Sequence, residues 1–221
     1  MEARATVISV GGETVDALWT LPPDPVAQLV LAHGAGAGYL HANMQALAEA
    51  FAARGIATLR FNFPYMQNGR RRVDAQALSV ATVAAAFDTA HEAYGDLPVF
   101  LGGHSYGGRM STHFAAEHPQ VACAGLILCS FPLHTPKKPS RKRAEHLADV
   151  KRPMLFLSGT RDDLADAALL TEVTEAIPGA RVHWLETANH SYVVLKRSRT
   201  NPQPVFEEMG EAGRTFVDQV L

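Results

Sequence analysis

One serine lies between two pairs of glycines, at the point where a short apolar run ends. Residues 103–107 read Gly-His-Ser-Tyr-Gly, which matches the pattern G-x-S-x-G that exposes a serine hydroxyl on a sharp turn from a strand into a helix. Small residues are needed two positions on either side, because larger side chains would collide with the strand and the helix. An apolar run at 99–101 and a helix-like run from residue 109 supply that context. The pattern indicates that Ser105 is a nucleophile rather than an incidental serine in a glycine-rich turn.

A serine hydroxyl is a weak nucleophile, so it needs a base within hydrogen-bond reach and a carboxylate that orients the base. In this pattern the acid follows a late strand and the histidine follows the last strand. Asp162 lies just beyond the apolar run 153–159, and His190 lies four residues beyond Glu186. Asp163 is the reserve candidate for the acid, since a helix-capping aspartate is the ordinary alternative for either residue. Every other histidine flanks a glycine motif, lies within a predicted helix or strand, or precedes the acid.

The same chemistry needs backbone N–H groups that stabilise a developing oxyanion. One donor is expected from Tyr106, directly after the serine. The other is expected from Ala35 in the loop at 33–38, where Gly34 and Gly36 let the backbone approach a substrate closely. A glycine-rich phosphate cradle is the competing idea, but this loop fits neither nucleotide-binding glycine motif.

Position alone indicates two further substrate contacts. Tyr65 lies in the loop after the apolar run 56–63, and Arg109 lies one helical turn beyond Ser105. Both are therefore expected near the nucleophile. For Arg109, packing beneath the turn is the alternative.

A basic rim is predicted around the same site. Eleven of the twenty basic residues lie in three loops that follow predicted strands. They are Arg70, Arg71, Arg72, Lys137, Lys138, Arg141, Lys142, Arg143, Lys196, Arg197 and Arg199. We hypothesise that this rim attracts carboxylate- or phosphate-bearing esters or thioesters. Solvated loop charges that bind no ligand are the alternative.

The elements that must position these residues alternate along the chain. Runs at 5–10 and 15–21 around a glycine turn predict an N-terminal β-hairpin. Later apolar runs predict strands at 27–33, 56–63, 99–103, 124–131, 153–159 and 181–186, and helical patterns fall at 44–54, 75–94, 106–118, 164–177 and 203–220. Strands that are apolar throughout are typical of sheets covered on both faces. The prediction is an α/β three-layer α/β/α sandwich with a mostly parallel sheet, whose ligands bind beyond the carboxyl ends of the strands.

Composition bounds the class of protein. At 221 residues the chain fits a single domain spanning 1–221, and apolar residues make up 47% of it with 19% charged. A net charge of −2 gives no case for nucleic acid or a membrane surface as partner. No leader or membrane span is visible, and Cys123 and Cys129 are expected to be free buried thiols. These features predict a cytoplasmic protein, either a monomer or a small homo-oligomer.

At this point the chain resembles the α/β-hydrolase family over nearly its whole length. Four segments fall in the expected order: HGAGAG, GHSYGG, SGTRDDLAD and ANHSY. The chain is most similar to the small dienelactone-hydrolase-related branch, including testis-expressed-protein-like predicted hydrolases. The resemblance implies serine hydrolase chemistry with no metal or organic cofactor. True dienelactone hydrolases use cysteine, so their substrate is not carried over. Only residues 132–152 are available for the helical cap of many relatives, which implies little or no cap.

The expected function is hydrolysis of a small ester, thioester or amide through an acyl-enzyme, with a small acyl compound as partner. Acyl transfer or perhydrolysis by the same residues stays open, because these reactions differ only in the second nucleophile. A non-catalytic binding or scaffold protein is the alternative from another class, since a fold does not determine a function.

Overall fold

A hairpin begins the chain, and a computed structural model describes all of residues 1–221. Strands β1 (Glu2–Val10) and β2 (Glu13–Leu21) pair antiparallel through their whole length. Gly11 and Gly12 form the turn with φ of 58° and 89°, a left-handed backbone that glycine adopts without steric cost. The predicted N-terminal hairpin is confirmed.

Six parallel strands continue the sheet. They are β3 (Ala27–Ala32), β4 (Ile56–Phe61), β5 (Val99–His104), β6 (Cys123–Cys129), β7 (Met154–Gly159) and β8 (Ala180–Leu185). The order across the eight-stranded sheet is β1-β2-β4-β3-β5-β6-β7-β8, and β2 runs antiparallel to β4. Strands β3 to β7 are almost entirely buried, in agreement with their mostly apolar sequences, although Gln28, Thr58 and Arg60 are buried polar residues among them.

Helices cover both faces of the sheet. They are α1 (Ala42–Ala52), α2 (Pro64–Gln67), α3 (Gln76–Ala93), α4 (Tyr106–Glu117), α5 (Ala167–Glu175) and α6 (Val205–Val220), with a 3-10 helix at Lys142–Asp149. One core layer joins the sheet to α3, α4, the 3-10 helix and α5, and the other joins it to α1 and α6. The predicted three-layer sandwich is therefore confirmed. No helix is both long enough and apolar enough to span a membrane.

The predicted element boundaries differ from the observed ones where a side chain intervenes. Strand β4 ends at Phe61 rather than at residue 63, because the N–H of Phe63 donates to His33 Nε2 (3.1 Å) instead of to a neighbouring strand. Helix α5 begins at Ala167 rather than at 164, because Oδ1 of Asp166 accepts the N–H of Leu169 (3.0 Å) as an N-cap. The short α2 and the 3-10 helix were not predicted.

Two glycines let strand β5 and helix α4 approach strand β3. A Cβ atom on Gly107 would lie 2.4 Å from the carbonyl oxygen of Ala32, and one on Gly103 would lie 2.3 Å from the same oxygen. Gly103 also has a φ of 153°. The small residues of the G-x-S-x-G pattern are therefore needed because backbone fills the space that a side chain would take.

Replacing Gly107 with alanine is expected to lower the free energy of unfolding by about 3 kcal/mol, because the backbone of β3 cannot move away without disturbing the sheet. Gly11→Ala is the matched control, since a Cβ there meets nothing within 4 Å. That change should cost only about 1 kcal/mol from its left-handed backbone. Urea unfolding of both variants measures the difference. Equal losses for the two would contradict this account of the close approach.

Candidate active site

The turn between β5 and α4 holds Ser105 in an unusual backbone conformation. Ser105 has φ 51° and ψ −114°, a region that costs a non-glycine residue about 1–3 kcal/mol. Its N–H donates to the carbonyl of Cys129 at the end of β6 (2.9 Å), and its carbonyl accepts the N–H of Arg109 (3.1 Å). The strained turn is thus held from both sides, and it presents the hydroxyl at the edge of the sheet.

Three side chains that are distant in the sequence meet at this edge. Ser105 Oγ lies 2.9 Å from His190 Nε2, and His190 Nδ1 lies 2.8 and 2.9 Å from the two carboxylate oxygens of Asp162. The Asp162 side chain is fully enclosed, whereas 18% of the His190 side chain is exposed. Asp163 is exposed and makes no such contact. The geometry therefore joins Asp162, rather than the reserve candidate, to the imidazole.

Close packing of the loops after β7 and β8 brings the carboxylate to the imidazole. A Cβ atom on Gly159 would lie 2.2 Å from the carbonyl oxygen of Ala188, so only glycine allows this approach. The N–H of Arg161 donates to the same carbonyl (2.9 Å). Asp162 Oδ1 also accepts the N–H of Leu164 (2.8 Å). These contacts fix the direction of the carboxylate.

The loop that carries His190 is held by its own side chains. Asn189 Oδ1 accepts the N–H groups of Ser191 and Val193, both at 3.0 Å. Tyr192 adopts a φ of 66° and is buried. Its direction is set by the core beneath the loop, where its ring packs edge-on against Phe206 with centroids 5.3 Å apart. The imidazole therefore stands on a fixed loop.

Sequence reasoning missed the pairing of His104 with Tyr192 behind this loop. A hydrogen bond of 2.7 Å joins His104 Nδ1 and the Tyr192 hydroxyl, and the rings of His104 and His190 lie 5.2 Å apart. Burial, followed by the nearby His190, lowers the pKa of His104 to about 3. His104 is thus a neutral support next to His190. The position of His104 directly before Ser105 in the G-x-S-x-G pattern is the sequence feature that could have indicated this role.

The predicted oxyanion loop at 33–38 lies against the turn at 103–107. We call this turn, which carries the predicted nucleophile Ser105, the nucleophile turn. The N–H of Ala35 makes no hydrogen bond within the chain, and Tyr106 is the first residue of α4, so its N–H has no partner in the helix. Gly34 is needed here because a Cβ atom on it would lie 2.7 Å from the His104 ring. Gly36 has φ 76° and is exposed. The backbone of this loop thus depends on glycine at both positions.

A buried histidine supports this loop from below. His33 Nδ1 donates to the carbonyl of Gly34 (2.8 Å), and His33 Nε2 accepts the N–H of Phe63 (3.1 Å). Burial lowers the pKa of His33 to about 4, so the ring is neutral and both nitrogens are used. Its ring also packs edge-on against Phe63, with centroids 4.9 Å apart.

Two sequence expectations need correction. Tyr65 is not placed to contact a substrate as expected, because its side chain is completely buried, and its N–H donates to Asp74 (2.8 Å). Burial raises the pKa of its hydroxyl to about 12. Arg199 does not belong to the basic rim, because its guanidinium turns inward and pairs with Glu208. Arg109 remains half-buried beside the nucleophile turn.

The family of the chain follows from a sequence comparison. A family model described as an alpha/beta hydrolase domain matches residues 25–218. The chain belongs to the α/β-hydrolase family. Residues 1–24, which contain the whole hairpin, lie outside the match.

Solved structures of α/β-hydrolases share the whole fold. A dienelactone hydrolase from Anabaena variabilis is similar at 19% identity and a TM-score of 0.78, covering 99% of this chain and 97% of its own. Est1E from Butyrivibrio proteoclasticus has 16% identity, a TM-score of 0.75 and 98% coverage of both chains. A serine hydrolase without a lid from Xanthomonas campestris has 17% identity and a TM-score of 0.73, covering 100% of this chain and 95% of its own. At these identities the likeness concerns the fold.

Low pH is expected to destabilise the folded state of this α/β-hydrolase through protonation of His33 in the unfolded chain. The folded pKa of His33 is about 4 against 6.5 in the unfolded chain, so between these values the unfolded chain binds a proton that the folded chain does not. Lowering the pH from 7 to 5 should therefore reduce the free energy of unfolding, with about 2 kcal/mol from His33.

Urea unfolding at both pH values measures this loss. His33→Gln keeps an acceptor for the Phe63 N–H and should show a smaller loss between pH 7 and pH 5. His91→Gln, at an exposed position, is the control and should retain the loss of the parent chain. An unchanged pH dependence in His33→Gln would contradict the assignment.

Proposed function

We propose that this α/β-hydrolase is a serine hydrolase that cleaves a small ester, thioester or amide through an acyl-enzyme, with esterase activity as the expected form. The observation that carries the proposal is the unbroken hydrogen-bond chain from the Ser105 hydroxyl through His190 to Asp162, at 2.9 and 2.8 Å. Such a chain is the arrangement that turns a weak hydroxyl nucleophile into a reactive one. The hydrolase family supports the same reaction class.

Each of the three residues has a chemical role in the proposed reaction. His190 Nε2 takes the proton of the Ser105 hydroxyl while the oxygen attacks the acyl carbon. Asp162 accepts the Nδ1–H of His190, which keeps the other nitrogen free as the base and stabilises the imidazolium that forms. The N–H groups of Ala35 and Tyr106 stabilise the oxyanion, a contribution of about 2.7–4 kcal/mol for one donor.

The tetrahedral intermediate then collapses to the acyl-enzyme. The bond from the acyl carbon to the leaving oxygen, sulfur or nitrogen breaks while His190 gives its proton to that atom, so an alcohol, thiol or amine departs. A water molecule loses a proton to the same nitrogen and attacks the acyl carbon. The C–O bond to Ser105 breaks, the hydroxyl regains the proton, and a carboxylic acid is released. An alcohol or hydrogen peroxide in place of water would give acyl transfer or perhydrolysis.

A serine-directed fluorophosphonate probe tests the proposal and separates it from a scaffold role. The parent chain should become labelled at Ser105, and Ser105→Ala should lose both the label and the hydrolysis of short para-nitrophenyl esters. Mass spectrometry of the labelled peptide locates the adduct. A folded parent chain that takes no label would favour a binding protein on a hydrolase fold.

Two neighbouring aspartates provide a matched pair for the acid. Asp162→Asn should lower kcat by about 10⁴-fold, because an amide cannot hold the imidazole in the required tautomer. Asp163→Asn should leave kcat unchanged, since that side chain is exposed. Steady-state kinetics on one ester measures both variants. The roles assigned to the two residues are incorrect if the effects are similar or reversed.

A further inference from the structure

One half-buried arginine beside the nucleophile turn has no partner. The Arg109 guanidinium makes no hydrogen bond or ion pair within the chain, and its Nε is enclosed by protein. Every other arginine that is buried or half-buried makes at least one hydrogen bond through its side chain. They are Arg60, Arg143, Arg152, Arg199 and Arg214. The two terminal amino groups of Arg109 are not enclosed, and because they have no partner within the chain, they are free to bind an acceptor that comes from outside it.

Two stacked histidine rings lie near this guanidinium. The rings of His113 and His146 stack with centroids 3.6 Å apart and an angle of 10° between their planes. Thr112 Oγ1 donates to the carbonyl of Arg109 (2.7 Å) and lies 2.8 Å from His146 Nε2. His113 Nε2 is a second enclosed nitrogen without a partner. We call Arg109, His113, Arg143 and His146 the Arg109 cluster.

The charges of the Arg109 cluster are all of one sign. Burial, followed by the nearby Arg143 guanidinium, lowers the pKa of Arg109. Burial, followed by His113 and Arg109, lowers the pKa of His146 to about 4, so the positive charge at neutral pH comes from the two arginines. Glu117 is the carboxylate near His113, but it is exposed and accepts a hydrogen bond from Gln76 (3.4 Å). No carboxylate is paired with either arginine.

The backbone places this cluster next to the proposed nucleophile. The N–H of Arg109 donates to the carbonyl of Ser105, so the two residues are one turn apart. Side chains on a helix tilt toward its N-terminus, and the N-terminus of α4 is the nucleophile turn. Arg143 approaches from the 3-10 helix and donates to the carbonyl of His134 (3.0 Å). A ligand bound between the two arginines would therefore lie beside Ser105.

We infer that Arg109, assisted by Arg143, binds a carboxylate carried by the substrate in addition to the bond that is cleaved. This inference rests on the proposed hydrolase function and names its substrate class: monoesters or monothioesters of dicarboxylic acids. A guanidinium presents a planar pair of donors that matches a carboxylate. An anion would accept hydrogen bonds from both guanidinium groups and also offset their positive charge, which a neutral acceptor would not do.

Two esters of matched shape test this inference. Para-nitrophenyl glutarate carries a terminal carboxylate, and para-nitrophenyl 5-oxohexanoate carries a methyl ketone in its place. The parent chain should prefer the glutarate ester in kcat/KM. Arg109→Gln should lower kcat/KM for the glutarate ester by about 10- to 100-fold and leave the ketone ester nearly unchanged. Arg109→Lys should recover part of the loss, because it retains the charge without the planar fork.

Control variants separate a specific contact from general charge and from folding. Arg152→Gln removes a half-buried guanidinium that binds the carbonyls of Pro119 and Val121, and Arg54→Gln removes an exposed charge outside the three loops of the predicted basic rim. Both variants should show the parental kcat/KM for the glutarate ester and for the ketone ester. Equal losses on both esters in Arg109→Gln, with the parental thermal midpoint, would overturn the inference, as would a parent without preference for the glutarate ester.

A binding measurement keeps this inference separate from the proposed function. In Ser105→Ala, glutarate should raise the midpoint of thermal unfolding, and Arg109→Gln in the same background should abolish the rise. If the parent hydrolyses neither ester but the rise depends on Arg109, the hydrolase proposal fails and the anion site stands. Inorganic phosphate that raises the midpoint more than glutarate would overturn the carboxylate assignment and point to a phosphate ligand.

Discussion

The left-handed backbone of Ser105 is the constraint on which the rest of the site depends. A residue in this conformation is unfavourable by itself, and three strands hold it there. Strand β6 accepts its N–H through Cys129, while β3 contacts Gly103 and Gly107 so closely that neither can carry a side chain. The register of the sheet therefore determines the direction in which the Ser105 hydroxyl points. Any change that moves β3 relative to β5 also moves the hydroxyl.

Burial keeps the two histidines around the Ser105 turn uncharged. His33 and His104 both lie near the turn, and burial keeps each of them neutral at ordinary pH. They add hydrogen bonds without adding positive charge next to His190. Asp162 is the carboxylate that the imidazole contacts, and its Oδ1 also accepts the N–H of Leu164 in the loop after β7. The site thus separates groups that support the loops from groups that could exchange protons.

Sequence patterns predicted which loops meet but not always where their side chains point. The strands, the hairpin and the convergence of Ser105 with His190 follow from apolar runs and from the edge at which parallel strands end. Asp163 stayed the reserve candidate for the acid, because the choice depends on how tightly Gly159 lets two loops pack. Tyr65 was expected to contact a substrate, but its side chain is buried. A loop residue can face the solvent or the core, and only tertiary packing decides between them.

The distance along the chain between the hydroxyl and its imidazole has a consequence during protein synthesis. Ser105 and His190 are 85 residues apart, and a ribosome adds about 5–20 residues each second. The hydroxyl therefore waits roughly 4–17 s before its partner has even been polymerised. Throughout that interval the Ser105 hydroxyl has no imidazole to contact in the nascent chain, so the hydrogen bond between them forms only late in synthesis.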